Sequence, residues 1–205
     1  MSLLLYIETN FLISHAAGRD AATESLVSDP SLGLRLVIPG VCFMEAFSTL
    51  EGESGRHNRL IASLQSEIRQ VERNVVSPNA RALVNHLQRA LVEARAILND
   101  YSDRLYRLIG SLSSMAEIIE TTSDVLRFSL GNELIDDPTD NLILSAILAD
   151  AGSRPSEAKI LLTENRKCFH DNPDAGTAIQ HAGVKNFRRC LEMPGMAEVA
   201  TRIIT

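Results

Sequence analysis

The stretch Leu3–Ile13, "LLLYIETNFLI", decides the fold. Five apolar or aromatic residues, Leu3 to Ile7, run into Glu8, Thr9 and Asn10, after which the chain turns apolar again. A short continuous apolar run bounded by polar residues predicts a buried strand. Ending such a strand on a carboxylate, a hydroxyl and an amide is not needed for packing, so these residues are candidates for chemistry. A short helix follows and is expected to stop near Gly18, a residue suited to a helix C-terminus.

Outward from this stretch, strand and helix patterns alternate. "LRLVIP" (34–39) predicts a second strand closed by Pro39 and Gly40. Asp20 is placed to cap a short helix reaching Ser28, and a longer helix is expected from near Val41, carrying Cys42, Phe43, Glu45, Ala46, Phe47 and Leu50. In "DDPTDNLILSAILADAG", Asp137 suits a helix N-cap and Pro138 the first helical position, with Gly152 as the stop. "AKILLT" predicts a strand over Lys159–Thr163, whose continuous apolar character suits burial on both faces of a parallel sheet. A last strand is expected near "GVKNF" and a terminal helix from about Met196. Strands alternating with helices imply an α/β fold with a parallel sheet.

The middle of the chain differs. No strand candidate lies between about Glu51 and Leu130. Ile61, Leu64, Ile68, Val71 and Val75 alternate spacings of three and four, as do Leu87, Leu91, Ala94, Leu98, Tyr101, Leu105 and Leu108. These narrow stripes predict a helical hairpin with a coiled-coil-like seam. Ser77 and Pro78 suit the start of its second helix, and Gly110 its end. Ser114 and Glu117 are spaced as a capping box, predicting a third helix to about Ser129.

Composition narrows the function classes. At 4% aromatic residues and no Trp, stacking platforms for single strands are scarce, and a net charge of −6 disfavours a general nucleic-acid binder. Yet all three lysines (Lys159, Lys167 and Lys185) lie in the last quarter beside Arg166, Arg188 and Arg189, enough for a local basic rim or for an ordinary solvated face. Cys42, Cys168 and Cys190 fit neither a disulfide framework nor a zinc pattern, and read as reduced thiols of a cytoplasmic protein. The five histidines show no ligand spacing. The apolar start is too short for a signal peptide and no run is long enough to span a membrane, so no membrane role is expected.

In open α/β sheets, ligands bind beyond the carboxyl ends of the strands. Four distant segments deliver polar groups to that edge: Glu8; Glu45 early in the second helix; Asp137 and Asp140; and Thr163, Glu164 and Asn165. Gathered carboxylates repel unless protonated or bridged by a cation. An all-oxygen set points to Mg²⁺ or Mn²⁺, which recruit substrate phosphate and activate water for attack on a phosphodiester. Plainer roles exist for each residue. Asp137 and Asp140 make a favourable helix start by dipole alone, Thr9 and Asn10 suit a helix cap, and Asn165 suits a turn. Glu45, however, sits among Phe43, Met44, Ala46 and Phe47, where an unpaired carboxylate is costly.

The sequence resembles PIN domains, the metal-dependent nuclease fold of bacterial toxins and RNA-processing proteins. "YIETNFLI", "IPGVCFMEAF", "DPTDNLILSAILADA" and "ILLTENRKCF" follow one another as that family's four motifs do, over roughly residues 1–55 and 131–190. The resemblance implies a three-layer, Rossmann-like parallel α/β fold: a single domain over residues 1–205 with the helices of 52–130 inserted into it. It implies that Glu8, Glu45, Asp140 and Asn165 are the catalytic set, with Glu8, Glu45, Asp140 and Asp137 holding the metal. Glu8 stands where the family usually has Asp, and Asn165 where Asp is commonest; Asp137, or Asp136, would supply the missing charge. Thr9, Asn10 and Thr163 would orient the ligands or a water, and Arg166, Lys167, Arg188 and Arg189 would grip RNA. The implied activity is a Mg²⁺- or Mn²⁺-dependent endoribonuclease. The alternative is a catalytically weak PIN domain that binds RNA or protein through its helical insertion. The hairpin offers an interface for a second copy, or for an antitoxin-type protein if the chain is half of a toxin–antitoxin pair.

Overall fold

The computed structural model describes residues 3–19, 26–27, 33–169 and 171–187. Strands β1 (Leu3–Ile7), β2 (Leu34–Pro39), β3 (Glu117–Ile119), β4 (Ala158–Leu162) and β5 (Val184–Phe187) form one all-parallel sheet in the order β3-β2-β1-β4-β5. Around it lie α1 (Thr9–Ala16), α2 (Gly40–Val71), α3 (Pro78–Met115), α4 (Ser123–Gly131), α5 (Pro138–Ser153), α6 (Arg166–Phe169) and α7 (Pro173–His181). One layer of helices groups α1 with α2 and α3; the other groups α5 with α4 and α7. This is a three-layer α/β fold.

The strand order fixes where a ligand can sit. The chain winds outward from β1 through β2 to β3, then crosses back to lay β4 and β5 on the other side of β1. Between β1 and β4 the connections diverge, and in such sheets the crevice beyond the carboxyl ends at that switch is the binding site. The register pairs Ile7 with Leu162, so Glu8 and Thr163 leave the sheet side by side. Both strands are apolar and buried because both faces are covered; even Lys159 is only 4% exposed.

The helical pair behaves as two halves. Near the sheet, Leu105, Leu108 and Leu112 of α3 are buried in the main core. Farther out, Ile61, Leu64, Leu87, Leu91 and Leu98 are only half-buried, and Val75, assigned to the stripe, lies in the turn and is exposed. Ser77 caps α3 by accepting the Ala80 amide, with Pro78 in the first turn.

Three expectations for the middle segment are overturned. α3 does not end at Gly110; it continues to Met115, because burying Leu112 outweighs the cost of about 1 kcal/mol of one helical glycine. Ser114 and Glu117 form no capping box. Glu117 opens β3, the strand missed in the sequence, and pairs with Arg35 and Arg154. Those pairs extend a polar chain in which Arg154 also holds Asp150, the acceptor of the Tyr6 hydroxyl at 2.7 Å. The helix that follows starts at Ser123 and is capped by Thr122 through the Val125 amide. The proposed terminal helix, Cys190, His170 and most of the helix expected at Asp20–Ser28 lie outside the described residues.

A buried amide holds the acidic approach to α5. Asn141, 4% exposed, donates through Nδ2 to Ser129 O (2.8 Å), Ser129 Oγ (3.1 Å) and Asn132 O (3.0 Å). Its Oδ1 accepts from the amides of Leu134 (3.0 Å) and Ile135 (3.2 Å). Asn141→Ala strands these backbone groups and should lower unfolding free energy by about 3 kcal/mol, read by urea denaturation. Asn141→Asp, which can only accept when ionised, should be nearly as damaging at neutral pH.

Candidate functional site

Glu8 is the first residue past β1 and caps α1. Its backbone is extended (φ −120°, ψ −178°), and its Oε2 accepts the Asn10 amide at 2.7 Å. Glu is not a favoured N-cap, but its extra methylene lets the carboxylate fold back to that amide. The other oxygen, Oε1, is buried and makes no hydrogen bond of ordinary geometry among the described residues, although the Thr163 hydroxyl and the Glu164 amide face the carboxylate. The whole residue is 1% exposed. Burial, reinforced by the charge of Asp140, pushes its pKa up to about 7, against the opposing pull of the Asn10 amide, the Thr163 hydroxyl and the Glu164 amide.

Glu45 lies in the second turn of α2, just past β2. The buried Thr9 hydroxyl donates to its Oε2 and ties the start of α1 to α2. Burial raises its pKa, and the charges of Asp140 and Asp137 raise it further, while Thr9 opposes. Beneath Thr9 lies Cys42, fully buried, whose thiol burial pushes far up.

Asp137 caps α5 through the amides of Thr139 (2.9 Å) and Asp140 (3.1 Å), as expected from "DPTD". Asp140, in the first turn, accepts the Asn165 side-chain amide at 2.9 Å. Burial raises its pKa, as does Asp137, against hydrogen bonds from the Cys168 thiol and Asn165. Asn165 is in turn held by its own amide on Thr163 Oγ1 (3.0 Å), so the end of β4 reaches the start of α5 through one side chain. Ser14 fixes the same loop by donating to Glu164 at 2.8 Å.

The structure thus brings Glu8, Glu45 and Asp140 into one electrostatic group, with Thr9, Thr163 and Asn165 between them and Asp137 at the rim. Asn10 contributes its backbone amide to Glu8. Asp136 is exposed, and Lys167 is exposed on α6; Arg188 and Arg189 lie outside the described residues, as does the side chain of Arg166. Among the described residues, no three His, Cys, Asp or Glu side chains close round one point as an ion requires. Instead, two of the carboxylates rest on a neutral side-chain donor: Glu45 on Thr9, Asp140 on Asn165. Burial raises the pKa of all three, and the charges of neighbouring acids add to it. The donors are all hard oxygens, and the orphaned Glu8 Oε1 is a ready ligand atom, so the chemistry of the set suits Mg²⁺ or Mn²⁺.

Cys168 was missed in the sequence. Read only as one of three scattered thiols, it stands three residues after Asn165 on the short α6, and that spacing turns it back toward Asp140. Burial and the adjoining Asp140 carboxylate push its thiol up to about 11, so it donates as a neutral group.

No protein-family model matches the chain, and no curated protein matches it. Among solved structures, the chain is similar to the crystal structure of VapBC2 from Rickettsia felis bound to a DNA fragment from their promoter. Identity is 16%, coverage 90% of this chain and 98% of that one, and the TM-score 0.37. Backbones that differ this much transfer neither a mechanism nor a partner. No helix among the described residues is long and apolar enough to cross a membrane.

Proposed function

We propose that this chain is a Mg²⁺- or Mn²⁺-dependent phosphodiesterase of the PIN type that cleaves RNA internally. One observation supports the reading: Glu8, Glu45 and Asp140, from three separate segments near the switch point of a parallel sheet, are buried enough to have raised pKa values, Asp140 acts on both of the others, and Glu8 keeps a buried oxygen without a hydrogen bond. Such an arrangement is unfavourable at neutral pH unless a cation joins it. Glu8, Glu45 and Asp140 would hold the ion, and Asp137 would add charge from the rim. When bound, such an ion would supply polarisation of a phosphodiester and a more acidic attacking water.

The other residues set geometry. Thr9 fixes the Glu45 carboxylate, Asn165 and Cys168 fix Asp140, and Thr163 holds the loop that carries Asn165. Lys167, with Arg166, Arg188 and Arg189, grips the phosphate backbone. RNA as the substrate rests on the motif resemblance, as does a single domain over 1–205 with 52–130 as its insertion; a cytoplasmic setting rests on Cys42, Cys168 and Cys190 fitting neither a disulfide framework nor a zinc pattern.

A second reading rests on the helical pair, which leaves Leu60 (50%), Leu83 (46%) and Val92 (63%) exposed. On that reading the hairpin takes a protein partner, either a second copy or an antitoxin-type protein, and catalysis is weak. Light scattering of the purified chain against Leu83→Glu tests the second copy.

The test of the main proposal is cleavage of a labelled RNA by purified protein with Mn²⁺, with chelator, and with Asp140→Asn. Cleavage by the parent with Mn²⁺ alone supports it. Equal cleavage by parent and variant removes the proposed site.

A further inference from the structure

At the opposite end of α1 from Glu8, helices α1, α2 and α3 line a partly open cavity of about 150 Å³. Its polar lining is Arg19, Glu53, His57, Tyr101 and Arg104. None of these residues belongs to the carboxylate site.

Three features mark it as built for an anion. The Tyr101 hydroxyl is buried and lacks a hydrogen-bond partner among the described residues, and such a group is costly unless something pairs with it. Arg104 is seated by a glycine: its Nη1 lies where a Cβ on residue 18 would stand, and Gly18 has φ +64°. Its ion pair is a loose one, with Asp100 at 3.7 Å, whose side chain is 63% exposed. Positive charge also reaches the phenol: Arg19 and Arg56 both favour its ionised form against the burial that disfavours it. The lining carboxylate, Glu53, is engaged by Arg56. His57 is oriented through Nδ1, which donates to the Glu53 carbonyl at 3.1 Å. In a chain of net charge −6, this is a positive pocket with an unused donor.

We propose that this cavity binds a phosphate group, with the Arg19 and Arg104 guanidiniums pairing its oxygens and the Tyr101 hydroxyl donating to it. Planar guanidinium forks match phosphate geometry, and charge-assisted bonds are the strong ones. The cavity is large enough for one phosphate and its ester oxygen. The source is either the backbone of a bound polynucleotide or a free phosphorylated small molecule.

Calorimetric titration of the full chain with inorganic phosphate tests this, with chelator present so that the carboxylate site repels the anion. Saturable binding is expected, weakened about tenfold in Tyr101→Phe and at least as much in Arg104→Gln. Tyr101→Phe removes one oxygen and keeps the ring, so it separates ligand binding from folding. Titration with adenosine 5′-monophosphate and with a 2′-O-methyl oligoribonucleotide distinguishes the sources. A Tyr101-dependent affinity for the oligonucleotide assigns the backbone, and one for the mononucleotide alone assigns a free ligand. Absence of saturable phosphate binding, or equal affinity in Tyr101→Phe, overturns the proposal. Cleavage is not read, so the result stands apart from the nuclease reading.

Discussion

Asp140→Asn should cut metal-dependent RNA cleavage on the order of 100-fold or more while the chain stays folded. Asp140 is the acid whose charge acts on both Glu8 and Glu45, so it is the link between them. Asparagine has nearly the same volume, and its carbonyl can still accept the Asn165 amide. The variant loses one negative charge in the first turn of α5, a cost of about 0.3–1 kcal/mol. It also loses a repulsion with Asp137, Glu8 and Glu45, and the two effects oppose. Circular dichroism should therefore show a melting temperature within a few degrees of the parent, with activity gone. A variant that unfolds would mark Asp140 as structural. A variant that is folded and fully active would remove it from the site.

Glu8→Gln should stabilise the chelator-treated protein at alkaline pH. The Glu8 pKa is raised from 4.5 to about 7 in the folded chain, chiefly by burial. For an acid raised on folding, the stabilising contribution is present in full below 4.5 and is lost as pH rises through 7. Above that, the parent carries a buried charge costing on the order of 3 kcal/mol, which glutamine lacks. Glutamine keeps the length and can still accept the Asn10 amide, so the cap survives. In urea denaturation at about pH 8 the variant should be the more stable protein, and the gap should close as pH falls toward 4.5. Mn²⁺ should reverse the order at about pH 8 by stabilising the parent through the same carboxylate. A pH-independent difference would mean that Glu8 is not the group under strain.

Much of this was readable in the residues. The apolar runs at Leu3–Ile7, 34–39 and Lys159–Thr163 became the three central strands, the last shifted by one residue to Ala158–Leu162, because strands covered on both faces need no alternation. The acids followed from position, since strand ends and helix starts at one sheet edge converge whatever lies between them in sequence. β3 was not readable. Three residues, Glu117–Ile119, give too short a pattern for a strand, and "SSMAE" carries a genuine capping-box spacing. The tertiary pairings with β2 and with Arg35 and Arg154 decided between them. Gly110 misled for a similar reason: local propensity is a weak prior beside a buried core. The Cys168–Asp140 and Asn141 contacts were hidden because a hydrogen-bond partner is a matter of spatial approach, which no spacing rule reports. Within the site, the sequence named Thr9, Asn10 and Thr163 as a group; the side chain of Thr9 reaches Glu45, whereas Asn10 engages Glu8 through its backbone.

The most direct measurement is a crystal structure of the chain soaked in Mn²⁺, read by anomalous scattering. One ion is expected beyond the ends of β1 and β4, with oxygens of Glu8, Glu45 and Asp140 at about 2.1 Å or through one bridging water. An ion held elsewhere, or these three carboxylates unchanged with no ion between them at saturating Mn²⁺, would contradict the account.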